Sequence, residues 1–203
     1  MERLISQLVS DGYLRTPAII NSFHKIKRSD FLPENEVGKE SFNAPLPIGC
    51  GQTNSQPLTV AFMIELLKPK PGQKILDIGC GSGWTSAILA DIVGPGGRVF
   101  GIERIPQLKD FGQKNAAKYC LENVEFFCQD GSRGLPDYAP FDRILVSAAA
   151  HEIPNALKDQ LKFGGRLVIP TVAQDIRLIK KISSNKFSEN VYPGFVFVPL
   201  IVE

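Results

Sequence analysis

Charge of one sign is what this sequence most lacks. Lys and Arg number 23 and Asp and Glu 21 among 203 residues, a net charge of +2, so nothing in the balance draws the chain to nucleic acid or to a membrane surface. Long apolar runs are missing too, since none reaches the roughly 18 residues of a spanning helix. The opening Met1-Glu2-Arg3-Leu4-Ile5 lacks the basic-then-apolar order of a signal peptide. Cysteine is sparse and unpatterned. Cys50, Cys80, Cys120 and Cys128 make no Cys-x-x-Cys pair and have no His nearby, which excludes a zinc site or a small disulfide framework. A reduced, cytoplasmic setting without a bound metal is the expectation. What remains, 43% hydrophobic and 22% charged residues, is ordinary usage for one globular domain.

The rhythm of the chain changes near residue 73. Before it, apolar residues recur at helical spacing, as Leu4, Ile5, Leu8 and Val9 and then Ile19, Ile20, Phe23 and Ile26, which predicts two helices. Pro33, Pro45, Pro47, Gly49 and Gly51 mark an irregular stretch. Ser55-Gln56-Pro57 reads as a helix start, with Ser55 as the capping side chain and the proline in the first turn. After residue 73 strands and helices alternate. Strands are expected at 74–78, 98–102, 124–128, 141–147 and 166–169, and helices at 84–93, 107–119 and 156–161. Two further strands, 177–182 and 195–202, close the chain, and Lys180-Lys181 reads as exposed strand surface. Alternation of this kind predicts a doubly wound, mostly parallel α/β sheet. Residues 1–72 form a helical extension to the core at 73–203.

Between the first of these strands and its helix lies Asp77-Ile78-Gly79-Cys80-Gly81-Ser82-Gly83. Glycines there permit a tight turn and close approach of a ligand to the backbone. Glu103 ends the next strand, twenty residues beyond Gly83, where a carboxylate can accept both hydroxyl hydrogens of a ribose. Arg104, directly after it, is taken with the same set. A dinucleotide fingerprint would read Gly-x-Gly-x-x-Gly and seat a pyrophosphate. Here the spacing is Gly-x-Gly-x-Gly, and Asp77 would repel pyrophosphate but could hold an ammonium group. S-adenosyl-L-methionine, carrying an ammonium and a sulfonium, is favoured over NAD. Asp130-Gly131 follows the third strand, where a carboxylate could accept from an adenine amino group. All these features fall at carboxyl ends of strands, where open α/β sheets bind ligands.

Several further segments carry a resemblance. They are Pro45-Leu46-Pro47-Ile48-Gly49-Cys50-Gly51-Gln52-Thr53-Asn54-Ser55-Gln56-Pro57, Ala139-Pro140-Phe141-Asp142, Ala148-Ala149-Ala150 with Ile153-Pro154, Gly164-Gly165-Arg166 and Phe197-Val198-Pro199-Leu200. Together they resemble the protein-L-isoaspartate (D-aspartate) O-methyltransferase family, from about residue 28 to residue 200. The glycine turns are common to many methyltransferases, whereas the Gln52 to Pro57 segment is specific. The resemblance implies a class I, Rossmann-like, S-adenosylmethionine-dependent fold. It implies methylation of the free α-carboxylate of L-isoaspartyl residues, the first step of repair through a succinimide. It places Ser55 as the active-site hydroxyl and Gln52, Thr53 and Asn54 along the cofactor. Asn43, Pro47, Ile48 and Leu200 would face the substrate. Isoaspartyl peptides and proteins are the implied partners, and a monomer is expected.

The chain departs from the family pattern at Ser41 and Asn43, where a tyrosine and an acidic residue are frequent, at Asn54, where an apolar residue is usual, and at Thr171-Val172. Two other functions therefore stand beside repair: methylation of an ordinary aspartate in one dedicated peptide, and a noncatalytic cofactor-binding module. A nucleic-acid methyltransferase lacks its Asn/Asp-Pro-Pro-Tyr type motif and a basic stripe. His24 and His151 are read as surface and loop residues, because methyl transfer to an ionised carboxylate requires no proton relay.

Overall fold

The computed structural model describes residues 1–202. Helices α1 (Glu2–Ser10) and α2 (Pro17–Lys25) each bury one apolar stripe: Leu4, Ile5 and Leu8, then Ile19 and Phe23. Pro17 opens α2, where a missing N–H costs nothing. The extension is tied to the next long helix, α3 (Pro57–Leu67), by Glu65, whose carboxylate accepts from Arg15 N, Thr16 N and the Thr16 hydroxyl. Phe23 packs edge-on against Trp84 at 5.6 Å, so extension and sheet domain share one core.

Two short strands, β1 (Leu46–Gly49) and β2 (Gln52–Asn54), pair as an antiparallel hairpin. The sequence reading treats this stretch as irregular. Its alternation, Leu46 and Ile48 buried with Pro47 and Gly49 exposed, is too short and too rich in proline to register as a strand. Cys50 and Gly51 make the turn, both at positive φ.

The main sheet contains β3 (Lys74–Ile78), β4 (Arg98–Glu103), β5 (Val124–Cys128), β6 (Phe141–Val146), β7 (Leu161–Thr171), β8 (Asp175–Ser183) and β9 (Lys186–Pro193). Their spatial order is β5-β4-β3-β6-β7-β8-β9. The pairings are parallel from β5 to β7 and antiparallel over the last two. Helices α4 (Trp84–Val93), α5 (Pro106–Ala117) and the short α6 (Asn155–Asp159) connect the parallel strands. The central strands are buried almost throughout, as strands covered on both faces must be. Chain order reverses between β3 and β6, the switch point at which doubly wound sheets open a ligand crevice.

Three expectations change. The final strand is β9, whereas residues 195–202 run across the strand ends with one isolated bridge, Ala149 to Pro199. β9 is a mostly exposed edge with little apolar content, and the apolar residues after it cover a cavity instead of pairing. Ser55 does not cap α3: Gln56 holds the N-cap position, and Asn43 Oδ1 accepts from Leu58 N at 3.1 Å. Lys181 is buried, and its Nζ donates to the Asp159 carbonyl at 3.0 Å, beside the C-terminus of α6.

Candidate active site

The loop after β3 folds back over β4, with Gly79 N and Cys80 N both donating to the Ile102 carbonyl, at 2.8 and 3.1 Å. Gly83 then starts α4 at φ +86, and a Cβ there would stand 2.8 Å from the Gly112 carbonyl oxygen of α5. Only glycine meets both the left-handed backbone and this contact. Gly131 is equally confined, since a Cβ would fall 2.3 Å from Ile78 Cγ2. The glycines thus press the loop close to the sheet and leave a crevice above it.

That crevice is a partly open cavity of about 700 Å³ when the solvent space in its mouth is included. Gly79, Gly81, Glu103, Arg104 and Gly131 line it from the sheet side. Gln52, Thr53, Ser55 and Ile48 face them from the hairpin, and Leu200 closes the outer edge. Thr53, Ser55 and Ser147 also border a recess beneath the glycine loop and an open groove beside residues 196–198. Ser55 therefore stands where the three spaces meet. Asn54 and Cys80 line only the recess.

Other expected site residues lie elsewhere. Asp77 is fully buried behind the glycine loop and borders none of these spaces. Its Oδ2 accepts from the Thr85 and Ser86 hydroxyls at 2.7 and 2.6 Å, whereas Oδ1 has no partner. Burial lifts its pKa to about 6, against the two hydroxyl bonds, and nearby Glu103 adds to the rise. Gly83 faces α5 instead of the cavity. Asp130 caps the short 3₁₀ turn after β5, accepting from Ser132 N and Oγ, both at 2.8 Å. Asn43 serves the start of α3, and Pro47 points to solvent on the hairpin. Asp77, Gly83, Asp130 and Asn43 thus each make a contact within the scaffold, and Pro47 is exposed.

Glu103 is placed differently. It is buried yet lines the cavity, and its Oε2 and Oε1 accept from Gly81 N and Ile105 N, both at 3.0 Å. Each oxygen keeps a second lone pair for a ligand hydroxyl. Ser147, Ile105 and Val198 line the cavity unannounced by the sequence. Ser147 had a positional signal, since it follows β6, the strand beside β3.

Among the described residues, Glu103 is the one carboxylate lining this cavity, with Arg104 beside it and Asp77 buried behind the glycine loop. A carboxylate there suits the ribose and charge of a cationic nucleoside better than a pyrophosphate. Among the described residues no group of three or more His, Cys, Asp or Glu is placed to hold a metal ion, and no helix is long and apolar enough to cross a membrane.

Sheet order, the glycine loop after β3 and the carboxylate at the end of β4 define an α/β methyltransferase of the S-adenosylmethionine-dependent class. Solved structures agree on the fold. A protein-L-isoaspartate O-methyltransferase superposes with a TM-score of 0.89 at 28% identity, covering 98% of this chain, which spans 65% of that one. A putative enzyme of the same name from Plasmodium falciparum, in complex with S-adenosyl-L-homocysteine, gives 0.86 at 24% identity, covering 98% and 97%. The chain belongs to the protein-L-isoaspartate (D-aspartate) O-methyltransferase family, whose model matches residues 1–203. Similar relatives are the protein-L-isoaspartate O-methyltransferases of Methanopyrus kandleri, 43% identical over 100% of this chain and 91% of that protein, and of Aeropyrum pernix, 42% identical over 99% and 79%.

Proposed function

We propose that this chain methylates the free α-carboxylate of L-isoaspartyl residues in damaged proteins, with Ser55 as the hydroxyl that orients it. The observation that carries the reading is the position of Ser55, within the family-specific Gln52 to Pro57 segment and between the cavity and the groove beside it. The groove, bordered by Pro45, Gln56 and Val196, gives a peptide access to Ser55.

When bound, S-adenosylmethionine supplies a methyl group on a sulfonium, which departs as the neutral thioether S-adenosylhomocysteine. The acceptor carboxylate is already ionised at pH 7, so the chain need only hold and align it. Ser55 donates a hydrogen bond to one carboxylate oxygen and leaves the other free to react. Glu103 accepts from the ribose hydroxyls, and the glycine loop presents its backbone to the rest of the cofactor. Ile48, Leu200 and Val198 exclude water, which strengthens these polar contacts. Within this reading the enzyme is a cytoplasmic monomer acting on proteins, in keeping with its near-neutral charge.

The dedicated-peptide alternative rests on Asn43 and Asn54. Both are hydrogen-bonded within the scaffold, Asn43 to α3 and Asn54 to Arg28 and Ser82, so neither is free to select a different peptide.

The test is methyl transfer from labelled S-adenosylmethionine to a matched pair of peptides, one with L-isoaspartate and one with L-aspartate. Methylation of the isoaspartyl peptide alone is expected. Ser55→Ala should lower kcat/KM by about 10–100-fold, the worth of one hydrogen bond to a charged group. Methylation of both peptides, or of neither, overturns the reading.

A further inference from the structure

Arg28 is a fully buried cation that the reaction does not call for. It lies just beyond α2, and among the described residues its six hydrogen bonds all end on carbonyl or amide oxygens. Nε donates to Asn54 Oδ1 at 2.8 Å. Nη1 donates to the carbonyls of Phe42 at 2.8 Å and Glu40 at 3.3 Å. Nη2 donates to those of Ala44 at 2.8 Å, Ser55 at 3.0 Å and Asn54 at 3.3 Å. The guanidinium carbon sits 5.6 Å from the centre of the Trp84 ring. Taking a cation out of water is costly unless its donors are met, and here a planar fork of five N–H groups meets two separate strips of backbone at once.

Only the second of those strips borders the site. The first is residues 40–44, which lead into the hairpin; the second is residues 54–55, which carry the hydroxyl at the meeting point of the cavities. Asn54 extends the link, since its Nδ2 donates to Ser82 Oγ in the glycine loop at 3.2 Å. A continuous chain of hydrogen bonds thus runs from the Ser55 carbonyl through Arg28 and Asn54 to the loop. By contrast, none of these bonds reaches Glu103, Gly131 or Ile105.

We propose that Arg28 is a positioning residue for methyl transfer: by clamping the Ser55 and Asn54 carbonyls against those of residues 40–44, it fixes the Ser55 hydroxyl relative to the glycine loop. It acts through Ser55 and sets the turnover rate while leaving cofactor affinity nearly unchanged. Lysine cannot replace it, because an ammonium has three donors around one nitrogen and cannot span both strips. The proposal rests on the isoaspartyl reading for its substrate.

The experiment is a double-mutant cycle of R28K and S55A, read by kcat and KM on the isoaspartyl peptide and by calorimetric binding of S-adenosylhomocysteine. R28K should lower kcat by about 10–100-fold, the scale of an ångström-sized misplacement. It should change the dissociation constant of S-adenosylhomocysteine by less than about threefold, the scale of a peripheral contact. In the S55A background the same change should cost less than about threefold in kcat, because the group it positions is gone. An equal penalty in both backgrounds, or kcat and cofactor affinity falling together, overturns the proposal. If R28K does not fold, R28Q enters the same cycle with the same criteria, since its planar amide keeps two donors and leaves no charge to desolvate. If the wild-type protein ignores the isoaspartyl peptide, the functional reading fails, and amide hydrogen exchange decides the role of Arg28. Faster exchange confined to residues 40–44 and 54–56 in R28K supports it; exchange that is unchanged, or faster throughout, overturns it.

Discussion

The cavity has one wall made by the sheet and one made by the hairpin and the segment after β9, and the two are built on different principles. On the sheet side the carboxylate of Glu103 is fixed by two backbone N–H groups, and Gly83 touches Gly112 with no room for a methyl. On the other side, Val196 and Ile201 are 77% and 41% exposed. Residues 196–201 are held to the core through Ala149, whose N–H donates to the Val198 carbonyl and whose carbonyl accepts from Leu200 N. A cofactor is always the same molecule and rewards a rigid mould. A damaged protein presents a different sequence at each encounter and needs a surface that few side chains specify.

The sharpest way to break this contrast is Gly83→Ala. A left-handed alanine costs about 1–2 kcal/mol, and the overlap with Gly112 adds about 1–3 kcal/mol. Urea unfolding should therefore show a loss on the order of 3 kcal/mol. A loss below about 1 kcal/mol would mean that the sheet-side wall yields, and the contrast would fail.

Asp77→Asn tests the same wall through pH. The folded pKa, about 6, lies above the ordinary 3.8, so between these values the folded state holds a proton that the unfolded state has lost. Stability therefore falls as pH rises from about 4 to about 6. The asparagine variant should flatten the decline, because it has no charge to desolvate and its oxygen can still accept from Thr85 and Ser86. A slope identical to wild type over that window would assign the decline to other groups.

The smallest effect separates Asn43 from Ser55 on the outer wall. Asn43→Ala removes an acceptor at the first turn of α3 and should cost about 1 kcal/mol of stability, with isoaspartyl selectivity retained. Ser55→Ala should leave stability within about 0.5 kcal/mol while activity falls. Should Asn43→Ala alter the preferred peptide and leave the melting point alone, Asn43 would return to the substrate side.

The sheet wall was legible because its signals are local. Strands buried on both faces read as apolar runs, a glycine turn follows β3, and the length of one strand-helix unit sets the distance to Glu103. The outer wall depends on contacts distant in sequence. The acceptor at the start of α3 comes from Asn43, fifteen residues away, so Ser55 looked like the cap. Five of the six hydrogen bonds of Arg28 end on backbone carbonyls, which carry no residue identity, and nothing in its neighbours announces the clamp. The apolar residues after β9 imitate a strand, yet they stay partly or fully exposed, and Val198 and Leu200 edge a cavity instead of joining a ladder. Asp77 shows how spacing leaves a side chain's surroundings open: it sits where the glycine motif places it, but sequence did not show that its Oδ2 would be taken by Thr85 and Ser86.

Glu103 has a consequence for how the enzyme is switched off. Its two oxygens are oriented by Gly81 and Ile105 when the chain folds, and the ribose they are proposed to grip is chemically identical before and after the methyl group leaves. On that proposal the carboxylate would hold the exhausted nucleoside as firmly as the fresh one. Product inhibition is then the expected outcome, with the pace of methyl transfer set by the ratio of the two nucleosides as much as by the supply of damaged protein.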